Sequence, residues 1–106
     1  MTWKFIVGAT KSGKYSWWLY GANGEMTAWA GQEFTVESGA RSAMIAFKGA
    51  AAIARYEVYK DLSGSFRWRA WRSSDKVAAS GESFASEYNA QRAADAVKTN
   101  ASSATS

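Results

Sequence analysis

Along the first thirty residues apolar and polar positions alternate in short bursts, and the bursts are punctuated by turn residues. Residues 3–7 read as one strand, Ser12-Gly13 as a turn, and 14–20 as a second strand rich in aromatics. Asn23-Gly24 is the strongest hairpin signal, predicting a type I′ turn, and 25–30 follow as a third strand. The period then changes. Ala40, Ala43, Met44 and Phe47 recur at helical spacing. Thr35 is placed to cap that helix, with Glu37 in its first turn where the helix dipole favours an anion.

The same pattern then returns. Strands are predicted over 55–60, 65–72 and 76–80, with turns at Ser63-Gly64 and Ser74-Asp75. A second helix is marked by Ala90, Ala93, Ala94 and Val97, with Ser86 as its cap and Glu87 in its first turn. Residue identities recur with it. At an offset of 51, Val7 matches Val58, Gly13 matches Gly64, Trp17 matches Trp68 and Ala28 matches Ala79; from Gly31/Gly81 onward the offset is 50. A unit this short cannot bury its own apolar face, so two copies must share one core.

The predicted fold is therefore α+β. Two tandem β-β-β-α repeats form one antiparallel sheet, with both helices packed on one face. The chain is expected to be a single domain over 1–106, with repeats at about 3–51 and 54–101 and a tail, 102–106, expected to fray. The inner helical faces are mostly alanine. Tyr15, Trp17 and Leu19, with Phe66, Trp68 and Ala70, are expected to supply the bulk facing them, because protein interiors pack near crystal density. Ile45 falls among the polar outward positions and has no evident reason to be there.

Composition narrows the function classes. The chain has 106 residues, 47% hydrophobic and 15% aromatic, which excludes general disorder. It contains no cysteine and no histidine. The usual nucleophile–base dyads, thiolate metal sites and the commonest neutral-pH general base are all missing. Asp61, Glu57, Asp75, Glu25 and Glu33 could serve a carboxylate site, but each lies at or near a turn or strand end, where solvated charge is the ordinary explanation. An enzyme is not expected, nor any metal or cofactor. No glycine cluster has phosphate-loop spacing. No apolar run is long enough for a bilayer and no leader is apparent, so a cytoplasmic protein without membrane contact is expected. Thirteen basic residues against nine acidic give a net charge of +4, which allows an anionic partner without requiring one.

Residues of the second copy, Tyr59-Lys60-Asp61, Gly64, Phe66-Arg67-Trp68-Arg69 and Val97-Lys98-Thr99-Asn100-Ala101, resemble the YegP-like family of small bacterial proteins of unknown function. The first copy carries Gly13, Asn23-Gly24 and the helix. It departs from the family pattern at Gly8-Ala9-Thr10, and at Ser16 and Trp18 where arginines would stand. The resemblance implies a sheet built from two β-β-β-α units. It implies no catalytic or binding residues.

Strand alternation singles out a candidate surface. If Trp17 and Trp68 face the helices, then Ser16, Trp18 and Tyr20 in one copy face outward, as do Arg67, Arg69 and Trp71 in the other. Trp29 and Tyr59 are expected beside them on adjacent strands. An open sheet face is ordinarily polar, so Trp18, Tyr20, Trp29, Tyr59, Arg67, Arg69 and Trp71 form the candidate site. A protein interface, with a homodimer as one form, is the leading reading, because aromatics and arginine are enriched there. Single-stranded nucleic acid is the alternative, with bases stacking on aromatics and phosphates on arginines. Cross-strand pairing that stabilises the sheet alone is the third. Were the two central strands neighbours, the face would divide into an apolar and a basic half.

Overall fold

The computed structural model describes residues 2–106. The strands are β1 (Lys4–Ala9), β2 (Tyr15–Tyr20) and β3 (Met26–Trp29), followed by helix α1 (Glu37–Ala50). Strands β4 (Arg55–Lys60), β5 (Phe66–Arg72) and β6 (Asp75–Ser80) and helix α2 (Glu87–Asn100) repeat that order. All six strands join one antiparallel sheet in the order β1-β2-β3-β6-β5-β4. Both helices lie on one face, α1 over β1 and β2, α2 over β4 and β5.

The sheet is closed at its centre by β3 and β6, which pair Ala28 with Ser80 and Trp29 with Ala79. The two central aromatic strands, β2 and β5, are therefore not neighbours. Each copy keeps its own half of the sheet, and the copies meet at their third strands. Strand registers also locate the change of offset. Leu19 pairs with Ala28, and Ala70 with Ala78. The equivalent of Ala28 is thus Ala78, not Ala79. The residue lost from the second copy lies in the hairpin between β5 and β6, before the third strand rather than after it. Under this mapping Trp29 and Ala79 are each other's equivalents, and an approximate two-fold axis passes between them.

Small differences in the turns have physical causes. Asn23-Gly24 does not form a type I′ turn. Ser73 is the only non-glycine with positive φ (55°) among the described residues, so Asn23 lacks the required conformation. Instead the Gly24 N–H donates to Gly21 O at 2.9 Å, Gly24 itself adopts φ +83°, and Asn23 Oδ1 accepts from the Glu25 N–H. In the second copy the turn falls at Ser73-Ser74, since Arg72 pairs with Asp75. Thr35 does not cap α1. The N-cap is Val36, whose side chain has no acceptor, whereas Ser86 accepts from the Asn89 N–H at 3.1 Å in α2.

The C-terminal tail, expected to fray, is docked. Ala101 and Ala104 are buried, the Thr105 N–H donates to Trp3 O at 2.9 Å, and Thr105 O accepts from the Phe5 N–H at 2.8 Å. The cause is the edge position of β1, whose outer backbone groups would otherwise lack protein partners.

The core lies between sheet and helices. Trp17 stacks on Phe47 with ring centroids 5.1 Å apart, and Phe5 meets Trp17 edge-on at 5.5 Å. Tyr56 and Trp68 form the counterpart at 5.7 Å, with Tyr56 Oη donating to Ala51 O. Burial pushes the Tyr56 hydroxyl well above its usual range. No described helix is long and apolar enough to cross a membrane.

Candidate functional site: the open sheet face

With both helices on one side, no described element forms a layer over the other side of the sheet. Register alone then sets out its central row. Ile6 pairs with Trp18, Trp18 with Trp29, Trp29 with Ala79, Ala79 with Arg69, and Arg69 with Glu57. Directly paired residues point to the same face. One residue from every strand thus forms a continuous line, Ile6–Trp18–Trp29–Ala79–Arg69–Glu57. The repeat relates its ends: Ile6 is equivalent to Glu57, Trp18 to Arg69, and Trp29 to Ala79. At each position the first copy is apolar and large, and the second is charged or small.

A second row lies at one end. Gly8 pairs with Ser16 in the first copy, Tyr59 with Arg67 in the second. The Trp18 ring leans over Gly8, within 3.7 Å of where a Cβ would stand. Arg69 occupies the matching place over the Tyr59 ring, with its guanidinium carbon 4.2 Å from the centroid. A third row at the other end holds Lys4 opposite Tyr20, and Arg55 opposite Trp71.

Arg67 and Arg69 are already paired. Arg69 Nε donates to Glu57 Oε1 at 2.6 Å, and the Trp71 indole N–H donates to the same oxygen at 3.1 Å. Arg69 first, then Trp71, holds the Glu57 carboxyl below its ordinary range. Arg67 Nε donates to Asp61 Oδ2 at 3.0 Å. Asp61 Oδ1 also accepts from the Ser63 hydroxyl and from the Ser63 and Ser65 N–H groups, and its pKa is lowered to about 2, chiefly by Ser63. Asp61 is thus the organiser of the Asp61–Gly64 turn. Glu33 is held low by hydrogen bonds from Thr10 and Ser12. Among the described residues no three His, Cys, Asp or Glu side chains gather as a metal site.

Of the seven candidate residues, the row unites Trp18, Trp29 and Arg69, with Tyr59, Arg67, Tyr20 and Trp71 beside it, all half-buried. Ser16 differs from expectation. It faces the same way but is fully buried, its hydroxyl donating to Gln32 O at 2.9 Å. The apolar and charged halves expected of the face are present, but they arise because each copy owns one side of the sheet, not because β2 and β5 touch. Sequence reasoning missed Ile6 and took Glu57 only as a solvated carboxylate near a strand end, whereas it lies within β4, paired with Arg69; the two residues close the row. Their signal was the repeat itself, since a strongly apolar residue and a charged one stand at equivalent strand positions.

No family model matches the chain. A UPF0339 protein of Neisseria meningitidis serogroup B is 40% identical over 43 residues, which are 41% of this chain and 77% of that protein. A UPF0339 protein of serogroup A matches to the same extent. Both relatives are therefore close to a single repeat in length. The solution NMR structure of a UPF0339 protein from Shewanella oneidensis superposes with a TM-score of 0.81, covering 99% of this chain and 90% of that one at 16% identity. That of the E. coli protein of unknown function yegP gives 0.82, with the same coverage and 19% identity. At these identities the two structures share the fold of this chain, a six-stranded sheet with two helices.

Proposed function

The chain belongs to the UPF0339 family, the YegP-like proteins of unknown function, and from that premise we propose that it is a non-catalytic interaction module whose open sheet face binds a second copy of itself. The observation that carries this reading is the row Ile6–Trp18–Trp29–Ala79–Arg69–Glu57, because its four inner positions are complementary to their own reverse. Two faces related by a two-fold axis parallel to the strands lay each row on the other in opposite order. Trp18 then meets Arg69, an aromatic face against a guanidinium. Trp29 meets Ala79, a large side chain against a small one. Isologous contact of this kind is the commonest way soluble proteins associate.

The pairing of the arginines favours a protein over a nucleic acid. Arg67 and Arg69, the cations nearest the central row, are both engaged by carboxylates on the same face, which leaves only Lys4 and Arg55 of the end row outside an ion pair among the described residues of the three rows. A phosphate backbone would have to compete with Glu57 and Asp61 and lie beside their negative charge.

The test is amide chemical-shift mapping on dilution. Shifts confined to residues of the outward rows, Ile6 on β1 and Glu57 on β4 included, support the reading. Shifts on the helices, or none at all, contradict it. Single-stranded DNA added at low salt should leave the same resonances unmoved.

A further inference from the structure

On the helix side, the small alanine faces leave the sheet incompletely covered at two related places. Phe34, Ala43 and Ala46 border one cavity of about 330 Å³; Phe84, Ala93 and Ala96 border the other, of about 390 Å³. These residues are equivalent at an offset of 50, so the hollow is a property of the repeat. What surrounds it is not. The first cavity has Gln32 and Arg72 at its edge and is partly filled by Phe47, where the second copy has the smaller Val97. The second cavity has Glu82 in place of Gln32 and Gly21 in place of Arg72, with Glu25 nearby. Trp3 and Met26 join Phe84 as its apolar wall.

The geometry points to the larger cavity, under α2 and beside the β2–β3 hairpin, as a binding site for a small amphipathic cation: an ammonium carried on an aromatic or similarly apolar body. Its volume is within the range of ligand pockets. Its walls are apolar and aromatic, suited to the body and to a cation against a ring face. Glu25 and Glu82 are both exposed at its mouth, and among the described residues neither joins an ion pair. Two carboxylates outside any described ion pair, over an aromatic hollow, favour a cationic headgroup over an anionic one. Gly21 keeps the entrance open: a Cβ there would stand 3.3 Å from both Asn23 Oδ1 and Thr27 Cγ2 and 3.7 Å from Trp3. The site is on the opposite side of the sheet from the proposed dimer face, so the two readings succeed or fail separately.

The test is an NMR titration of the intact chain with phenethylammonium, its neutral counterpart phenethyl alcohol, and the anion hydrocinnamate. The cation should shift the Trp3 indole N–H and the Thr27, Ala93 and Ala96 amides, and bind more tightly than the alcohol, with the anion weakest. The Glu25→Gln, Glu82→Gln double variant should keep the wild-type melting temperature and lose roughly tenfold in affinity for the cation, the scale of a charge-assisted contact. No shifts at these groups, equal binding of alcohol and cation, or an unchanged affinity in the double variant would each overturn the proposal.

Discussion

Trp29 stands directly opposite Ala79 at the centre of the sheet, and the repeat makes the two residues equivalent. One copy thus offers a large aromatic at the two-fold axis and the other offers a methyl group. Face to face with a second molecule, each Trp29 is expected to fill the space above the partner's small residue. Ala79→Arg puts bulk and charge in that space. It is expected to abolish self-association while leaving the melting temperature within a few degrees of wild type, since Ala79 lies outside the helix-side core. A variant that associates as the wild type does would contradict the proposed packing.

The carboxylates on the face impose an acid sensitivity. Glu57 and Asp61 both titrate below their ordinary values in the folded chain. A group whose pKa is lowered by folding stabilises the fold above its unfolded value and ceases to do so as pH falls through the folded one. For Asp61 that interval runs from about 3.8 down to about 2. The melting temperature should therefore drop between those pH values. Asp61→Asn should start from a lower melting temperature near neutrality and show a shallower decline over that interval. An unaltered acid profile in this variant would show that Asp61 does not organise the turn.

Helix α1 has a correctable defect. Val36 stands at the N-cap, 55% exposed and without an acceptor, where Ser86 caps α2. Val36→Ser recreates the α2 arrangement and is expected to raise stability by about 1 kcal/mol, read from the denaturant midpoint. No gain would mean that Val36 contributes by packing what a cap would contribute by hydrogen bonding.

The two glycines after the third strands should differ in tolerance. A Cβ on Gly81 would run into Met26, standing 2.6 Å from its carbonyl oxygen and closer still to its sulfur. On Gly31 the tightest neighbour is the flexible Lys76 side chain, at 3.1 Å, although φ +78° adds backbone strain there. Gly81→Ala is expected to cost about 1–3 kcal/mol, by overpacking against backbone that cannot move freely. Gly31→Ala should cost about 1–2 kcal/mol, through left-handed strain alone. Equal costs removed by truncating Lys76 would reverse the assignment.

How much of this could be read beforehand follows the range of each interaction. The strands and helices were legible, because alternation and helical spacing are local. So was the inward orientation of Trp17 and Trp68, which recur in both copies. Strand order was not, because β3 and β6 pair across about fifty residues through only two residue pairs, Ala28–Ser80 and Trp29–Ala79, which carry no pattern of their own. The cap at Val36 was misplaced at Thr35 because an acceptor-bearing residue stood one position away. The tail was misread because its small polar residues look disordered until β1 is known to be an edge strand in need of backbone partners. The face itself was partly legible: alternation exposed Trp18 and Arg69, but only register united them with Ile6 and Glu57 in one row.

The most direct test of the central claim is the solution mass by light scattering from micromolar to millimolar protein, for the wild type and for Ile6→Glu. Ile6 is 41% exposed at the apolar end of the row. In the proposed stacking it lies against the partner's Glu57, so a glutamate there sets like charges together. The account predicts a concentration-dependent shift from monomer to dimer in the wild type, lost in Ile6→Glu with the fold intact. A wild type that stays monomeric throughout, or a dimer indifferent to Ile6→Glu, would contradict it.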